Sequence, residues 1–419
     1  MMLTSTLLAS ALLMTAQSPA EGSSCTTACH GAERMALGAS VHGLALACID
    51  CHGGDPTAQR DKDASHSIEA GYRGAITRHD VPELCGTCHA DPKRMFSYDL
   101  PTDQLAVYRS SVHGQQLYDR GDDAVAICTD CHDTHRILAT ADPLAPTARA
   151  NQPETCGRCH GDGELMGAYG LSHSVVEQFR ESVHGQALLD QELRGAPTCS
   201  DCHGAHGSTP PGRDSIAQIC SHCHPSTGEA FARGPHADPQ RMSCEACHEG
   251  DLPGGAADGR AACAACHGAH GIAVPDDGLY LGVGAGSCTH CHPTEAEPQT
   301  MATFLIEGKQ RLLASHDQAL ANLADARRSG LYLEDEARRS RATLRTLVSL
   351  GPLAHALDLS AIGEHLADGI ERNELTREAL EHKRTILRDR RLLGSALAAV
   401  LLMMAGLLGA RLSAVRRLS

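Results

Sequence analysis

The pattern that most limits what this chain can become is a cysteine pair followed at once by histidine. Nine Cys-x-x-Cys-His units occur: Cys48, Cys51 and His52; Cys85, Cys88 and His89; Cys128, Cys131 and His132; Cys156, Cys159 and His160; Cys199, Cys202 and His203; Cys220, Cys223 and His224; Cys244, Cys247 and His248; Cys263, Cys266 and His267; Cys288, Cys291 and His292. A tenth unit, Cys25, Cys29 and His30, has three residues between its cysteines. Together they use all 20 cysteines. Zinc ribbons also use Cys-x-x-Cys pairs, and a cysteine-rich exported chain can be stapled by disulfides. Neither requires histidine after every second cysteine. With 26 His among 419 residues that neighbour would follow by chance about one time in sixteen, and here it follows in all ten units.

The pattern is the attachment signature of c-type haem, in which two thiols bond the porphyrin edge and the adjacent histidine reaches the iron. It predicts about ten covalent haem c groups, with His30, His52, His89, His132, His160, His203, His224, His248, His267 and His292 as proximal ligands. Sixteen histidines remain. His316, His355, His365 and His382 lie in the tail, and His222 and His290 sit inside their own short loops. Setting those aside leaves ten candidates for the opposite face: His42, His66, His79, His113, His135, His173, His184, His206, His236 and His270.

The array is internally repetitive, which points to units built alike. Ser-Val-His-Gly begins at Ser40, Ser111 and Ser182, 71 residues apart each time, and Pro82-Glu83-Leu84-Cys85-Gly86 answers Pro153-Glu154-Thr155-Cys156-Gly157 at the same interval. An aromatic stands five residues before the histidine in Tyr108/His113, Phe179/His184 and Phe231/His236. That spacing suits a helical turn carrying a ring beside a haem.

Aromatic residues make up 3% of the chain and Trp is absent, a thin supply for a side-chain core. Haems, one for about every 27 residues of the array, would supply the apolar area instead. The expected fold is mostly α with extensive irregular loops, because Val/Ile alternation is sparse and 41 Gly with 19 Pro punctuate the chain. The formal charge of -15 argues against nucleic acid as a partner.

Residues 1–20 read as a secretory signal, with an apolar run over 3–14 and small residues at Ser18-Pro19-Ala20. Haem attachment outside the cytoplasmic membrane agrees with export. The multihaem domain is expected over 21–298 and an amphipathic helical region over 299–391, a hairpin or three-helix bundle broken at Ser329-Gly330 and Gly351-Pro352. Residues 392–410 are free of charge, and 19 residues of helix extend about 28 Å, close to the ~30 Å of a bilayer core. A transmembrane anchor over 392–412 is therefore expected, followed by a short cytoplasmic tail at 413–419. Arginines and lysines flank both ends, so the signal and the haems decide the orientation, with the array on the periplasmic face.

The array of Cys-x-x-Cys-His units, with Ser-Val-His-Gly upstream and Cys-x-Asp-Cys-His-x-x-His downstream, resembles the multihaem c-type cytochromes of respiring bacteria over residues 25–292. The resemblance implies a row of haems passing electrons between the quinone pool or membrane donors and periplasmic redox partner proteins, with a membrane quinol-oxidising subunit as one such donor. It also admits an enzyme similar to the multihaem nitrite, hydroxylamine or tetrathionate families, in which one iron stays open to substrate. No Cys-x-x-Cys-Lys unit is present, and there are histidines enough to close every site.

Overall fold

The computed structural model describes residues 25, 29–58, 61–210, 213–237, 263–282 and 287–418. The leader over 1–20 and the unit of Cys244, Cys247 and His248 lie outside the described residues. Among those described the regular structure is helical, with no strand. The chain divides into two compact units, residues 1–212 with 269–274, and residues 213–268 with 275–419.

In the first unit no described helix exceeds nine residues. Helices this short are unstable alone, so tertiary contacts must hold them. One apolar cluster joins Tyr108, Leu117, Val125 and Ile127. Beyond it the buried hydrophobic side chains of this unit are few and scattered, a consequence of the low aromatic content.

The second unit contains the helices Arg213–Cys223, Pro225–Arg233 and Cys263–His267, then three long ones, Ala296–Arg328, Glu334–Ala354 and Leu359–Leu418. The three long helices pack on one another around Leu305, Leu312, Leu350, Ala354, Ile362 and Leu366. A second apolar cluster of Leu323, Ala326, Leu333 and Leu380 lies further along. The same bundle also buries a polar set: Glu336, Ser340, Thr343, Thr346, Asn373 and Thr376. Asn373 donates to Ser315 Oγ at 3.0 Å, and Arg372 donates to Thr346 Oγ1 at 2.7 Å. The second long helix runs past Gly351-Pro352 to Ala354, with Pro352 inside its last turn. There the missing N–H forfeits one backbone bond without stopping the helix.

The third helix continues unbroken into the charge-free run, and its side chains stand exposed on all sides, Leu393 at 71% and Leu402 at 74%. A helix apolar all round is matched to apolar surroundings, not to water.

Glu336 is 2% exposed, and Lys383 donates to it at 2.8 Å while Arg339 stands at 3.5 Å. Burial pushes its carboxyl up, but the Lys383 hydrogen bond and the two cations outweigh it and hold the group below its ordinary value. Its contribution to stability is therefore present at neutral pH and lost as pH falls through the carboxylate range. Lys383→Met strands a buried carboxylate with only the distant Arg339. It is expected to cost on the order of 3 kcal/mol, seen as a lower bundle melting temperature by circular dichroism at pH 7, with a smaller difference from wild type at pH 4.

Candidate functional site

Each Cys-x-x-Cys-His unit among the described residues is tied to one turn of helix. Cys48–His52, Cys128–His132, Cys199–His203 and Cys263–His267 are five-residue helices, whereas Cys85 and Cys156 lie within Val81–His89 and Gln152–His160. In the last unit the helix is Cys288–Cys291, so Cys291 closes the turn and His292 caps it. The i, i+3 spacing sets both sulfurs on one face, and the histidine follows at the helix end. In three units the residue before the second cysteine is an aspartate that caps the turn. Asp50, Asp130 and Asp201 accept from the N–H groups of Ala47, Ile127 and Thr198 at 2.7, 2.8 and 2.7 Å. Asp130 and Asp201 also pair with Arg78 and Arg149 at 2.6 and 2.7 Å. These two arginines are 71 residues apart, as are Arg109 and Arg180, which pair with Glu83 and Glu154 at 2.5 and 2.8 Å. The sequence repeat is thus a repeat of ion pairs.

In four units the two cysteines differ in exposure. Cys25, Cys199, Cys220 and Cys263 are half-buried, whereas their partners Cys29, Cys202, Cys223 and Cys266 are exposed. Three pairs of first cysteines also meet across neighbouring units. The Cys85 and Cys128 sulfurs are in hydrogen-bond contact, as are those of Cys156 and Cys199, and of Cys220 and Cys263. The second cysteine, a turn further on, is left towards the outside in these four units. The attachment point expected at Cys247, with Cys244, falls outside the described residues.

Ser-Val-His-Gly builds an elbow between two helices. Ser111 ends Gln104–Ser110 and caps Val112–Arg120: its buried hydroxyl donates to the Tyr108 carbonyl at 2.6 Å and accepts from the Gly114 N–H at 3.0 Å. Ser182 repeats both bonds at 2.6 and 3.0 Å with Phe179 and Gly185. A Cβ on Gly114 or Gly185 would collide with the carbonyl oxygen of Tyr108 or Phe179. Glycine is required there by close approach, and the neighbouring histidine is presented from the first turn.

Imidazole rings from distant segments stand opposite one another. The ring centres are 6.3 Å apart in His30/His66, 6.0 Å in His89/His42, 6.2 Å in His52/His135, 6.2 Å in His160/His113, 6.1 Å in His132/His206, 6.0 Å in His203/His270 and 6.5 Å in His292/His236. In every pair the first histidine follows a cysteine pair and the second is one of the ten opposite-face candidates. A metal–imidazole bond is about 2 Å, and the ring centre lies about 1 Å beyond the nitrogen. Two rings on opposite sides of one iron therefore stand about 6 Å apart, so the residues present fit haem c with two nitrogen ligands.

Burial, and second the facing ring, holds His42, His52, His113, His132, His236 and His270 below the ordinary histidine value. The neutral form so favoured is the one that ligates metal. Nδ1 of His66 bonds the Lys62 carbonyl at 2.8 Å and Nδ1 of His203 the Thr209 carbonyl at 3.1 Å. A carbonyl only accepts, so Nδ1 carries the proton and Nε2 keeps its lone pair.

Successive sites adjoin. His52 lies within electrostatic reach of His30, and Cys51 within reach of Cys85 and Cys88. His132 is within reach of His89, Cys131 of Cys159, and His160 of His203. With the sulfur contacts from Cys85 to Cys128 and from Cys156 to Cys199, the first six sites form an unbroken row.

The ring of His79 packs edge-on against Tyr118 at 5.4 Å, and His173 is exposed beside Gly163. His184 occupies the first turn of Val183–Leu189, where the elbow recurs. Among the tail histidines, His316 is 6% exposed with no hydrogen bond to Nδ1. His355 faces His267 with ring centres 5.9 Å apart. Nothing in the local sequence distinguishes His355, which stands 88 residues after its neighbour.

Comparison with known proteins agrees with this chemistry. A family profile described as the doubled CXXCH motif matches residues 120–165. The chain is 27% identical over 194 residues to the multiheme cytochrome MtrA of Shewanella baltica (strain OS185), covering 45% of this chain and 44% of that protein. It thus spans less than half the length of the curated relative it matches. No solved structure matches.

The elbow can be tested directly. Ser111→Ala removes a buried cap and is expected to cost about 1 kcal/mol. Gly114→Ala must force the helices apart, at about 1–3 kcal/mol. Thermal denaturation of both variants checks this, and wild-type melting temperatures would mean that the elbow does not hold the repeat.

Proposed function

We propose that this chain, a multihaem c-type cytochrome, is a membrane-anchored electron conduit on the periplasmic face, passing electrons along about ten haems with bis-histidine ligation. The observation that carries the reading is the unbroken row of six sites, each with a facing imidazole pair. When bound, haem supplies a one-electron iron couple at each site. The chain's own residues do the rest. Paired cysteines fix each group's edge, and two imidazoles on opposite sides leave no coordination position for a substrate. The short capped helices hold neighbouring attachment points side by side.

Ligand sets follow two routes. The Ser-Val-His-Gly histidines His42 and His113 face His89 and His160, while the Cys-x-x-Cys-His-x-x-His histidines His135, His206 and His270 face His52, His132 and His203. Each route borrows its second ligand from another part of the sequence, so no site closes until distant segments meet. Exposed leucines along 392–410 support a single membrane span at the carboxyl end. The donors and acceptors proposed are membrane quinol-oxidising proteins or the quinone pool on one side and periplasmic redox proteins on the other.

Low-temperature EPR of the oxidised protein, with haem counted as the pyridine haemochrome, tests the central claim. About ten haems per chain, all low-spin and unaltered by nitrite, cyanide or hydroxylamine, are expected. A high-spin haem that shifts on adding one of these would overturn the closed conduit in favour of an enzyme acting on a small nitrogen or sulfur compound. Truncation after Arg391 is expected to release the protein from membranes with its haem content intact, read by fractionation and haem stain.

A further inference from the structure

We infer that His355, at the end of the second tail helix, is the sixth ligand of the iron held at Cys263-Ala-Ala-Cys266-His267, so that the helical tail completes a haem site. This rests on the multihaem reading above and adds a ligand that the motifs do not contain. Every Cys-x-x-Cys-His-x-x-His unit has a built-in candidate three residues on, here His270. That ring faces His203, 6.0 Å away, so it is committed to another site and His267 needs a ligand from elsewhere.

His355 meets the requirement. Its ring lies 5.9 Å from that of His267 with the planes 27° apart, next to the 6.0 Å of the shortest other facing pairs. Nδ1 bonds the Gly351 carbonyl at 2.8 Å, which places the proton there and leaves Nε2 for metal. His316, the buried histidine of the tail, has no ring contact of this kind among the described residues.

The position of His355 is built by the bundle. Its backbone N–H donates to the Pro352 carbonyl at 3.1 Å, closing the helix Glu334–Ala354. Ala354 belongs to the apolar core with Leu305 and Ile362. Leu357 then turns the chain in the left-handed region, φ 53°, a conformation costly to a branched side chain and retained only where packing enforces it. On the other side, buried Gly234 presses against the His355 carbonyl, where a Cβ would collide. Gly234 directly follows the helix Pro225–Arg233, which packs on the second tail helix. The turn is therefore clamped between the bundle core and the haem-motif region of its own unit. The helix that follows it is the one that carries the apolar run, so the tail both bears the anchor and ligates the array.

The test uses the full-length, haem-loaded protein. His355→Ala is expected to convert one haem per chain from low-spin to high-spin in EPR, reversed by added imidazole, with the pyridine haemochrome count unchanged. His382→Ala, an exposed tail position, serves as the control and should remain fully low-spin. Should His355→Ala lose haem or fail to accumulate, His355→Met decides: sulfur ligation keeps the iron low-spin and moves one step of the redox titration to higher potential. A fully low-spin His355→Ala with its full haem count overturns the inference, as does a titration of His355→Met identical to wild type. Either result leaves the multihaem reading intact. Absence of covalent haem from the wild-type protein would instead sink that reading.

Discussion

The first unit is organised by pairs of imidazoles that meet across a gap one metal ion would fill. The rings come from segments far apart in sequence, as in His52 with His135 or His203 with His270, and their spacing matches that of two coordinate bonds to one ion. Side-chain burial cannot do this work alone. The main apolar cluster of the unit comprises Tyr108, Leu117, Val125 and Ile127, and helices of nine residues or fewer add little stability of their own. On the proposed reading metal ligation and covalent attachment would replace a hydrophobic core, so folding and haem loading are expected to be one process.

Around each pair the polypeptide solves a positioning problem with the same few parts. Arginine–aspartate pairs at Arg78/Asp130 and Arg149/Asp201 tie a loop to the capping residue of the motif helix. These pairs are about a third to two-fifths exposed, so each is worth little as stabilisation. Their value is geometric, since the guanidinium also binds backbone carbonyls at Val125 and Ala196. The Ser111 and Ser182 elbows do the equivalent for the imidazole. The arginine-tied motif helices present His132 and His203 to His206 and His270, whereas the Ser111 elbow presents His113 to His160.

Much of this was legible in the residues. The cofactor follows from histidine after every cysteine pair, and the repeat at 71 residues anticipates ion pairs that no spacing rule would have named. Helical character and the tail's three helices follow from apolar periodicity and the scarcity of β-branched alternation. The pairing of rings was not legible, because it depends on three-dimensional closure between segments of arbitrary separation. The unequal exposure of Cys199 and Cys202 was likewise not legible. The neighbour of His79, the ring of Tyr118, was not legible either. His355 illustrates the converse, since a histidine ending an ordinary amphipathic helix carries no local mark of a ligand. The same holds for Pro352, which reads as a stop and is carried within the final turn.

The tail's interior explains why it should be more than a tether. A bundle needed only to hold an anchor would be best served by a continuous apolar core, since each buried polar group must find a partner or cost stability. Here Glu336, Thr343, Thr346, Asn373 and Thr376 are buried between two leucine clusters and joined by specific bonds such as Arg372 to Thr346 and Lys383 to Glu336. Directional bonds select one register between helices where leucine packing alone tolerates several. Register is what fixes the turn at His355 relative to the rest of the bundle. A slip of one residue, about 1.5 Å along the axis, would spoil a facing pair whose tolerance is a fraction of an ångström. A polar, register-setting core is therefore the interior expected of a bundle that must hold one imidazole at a fixed distance from another.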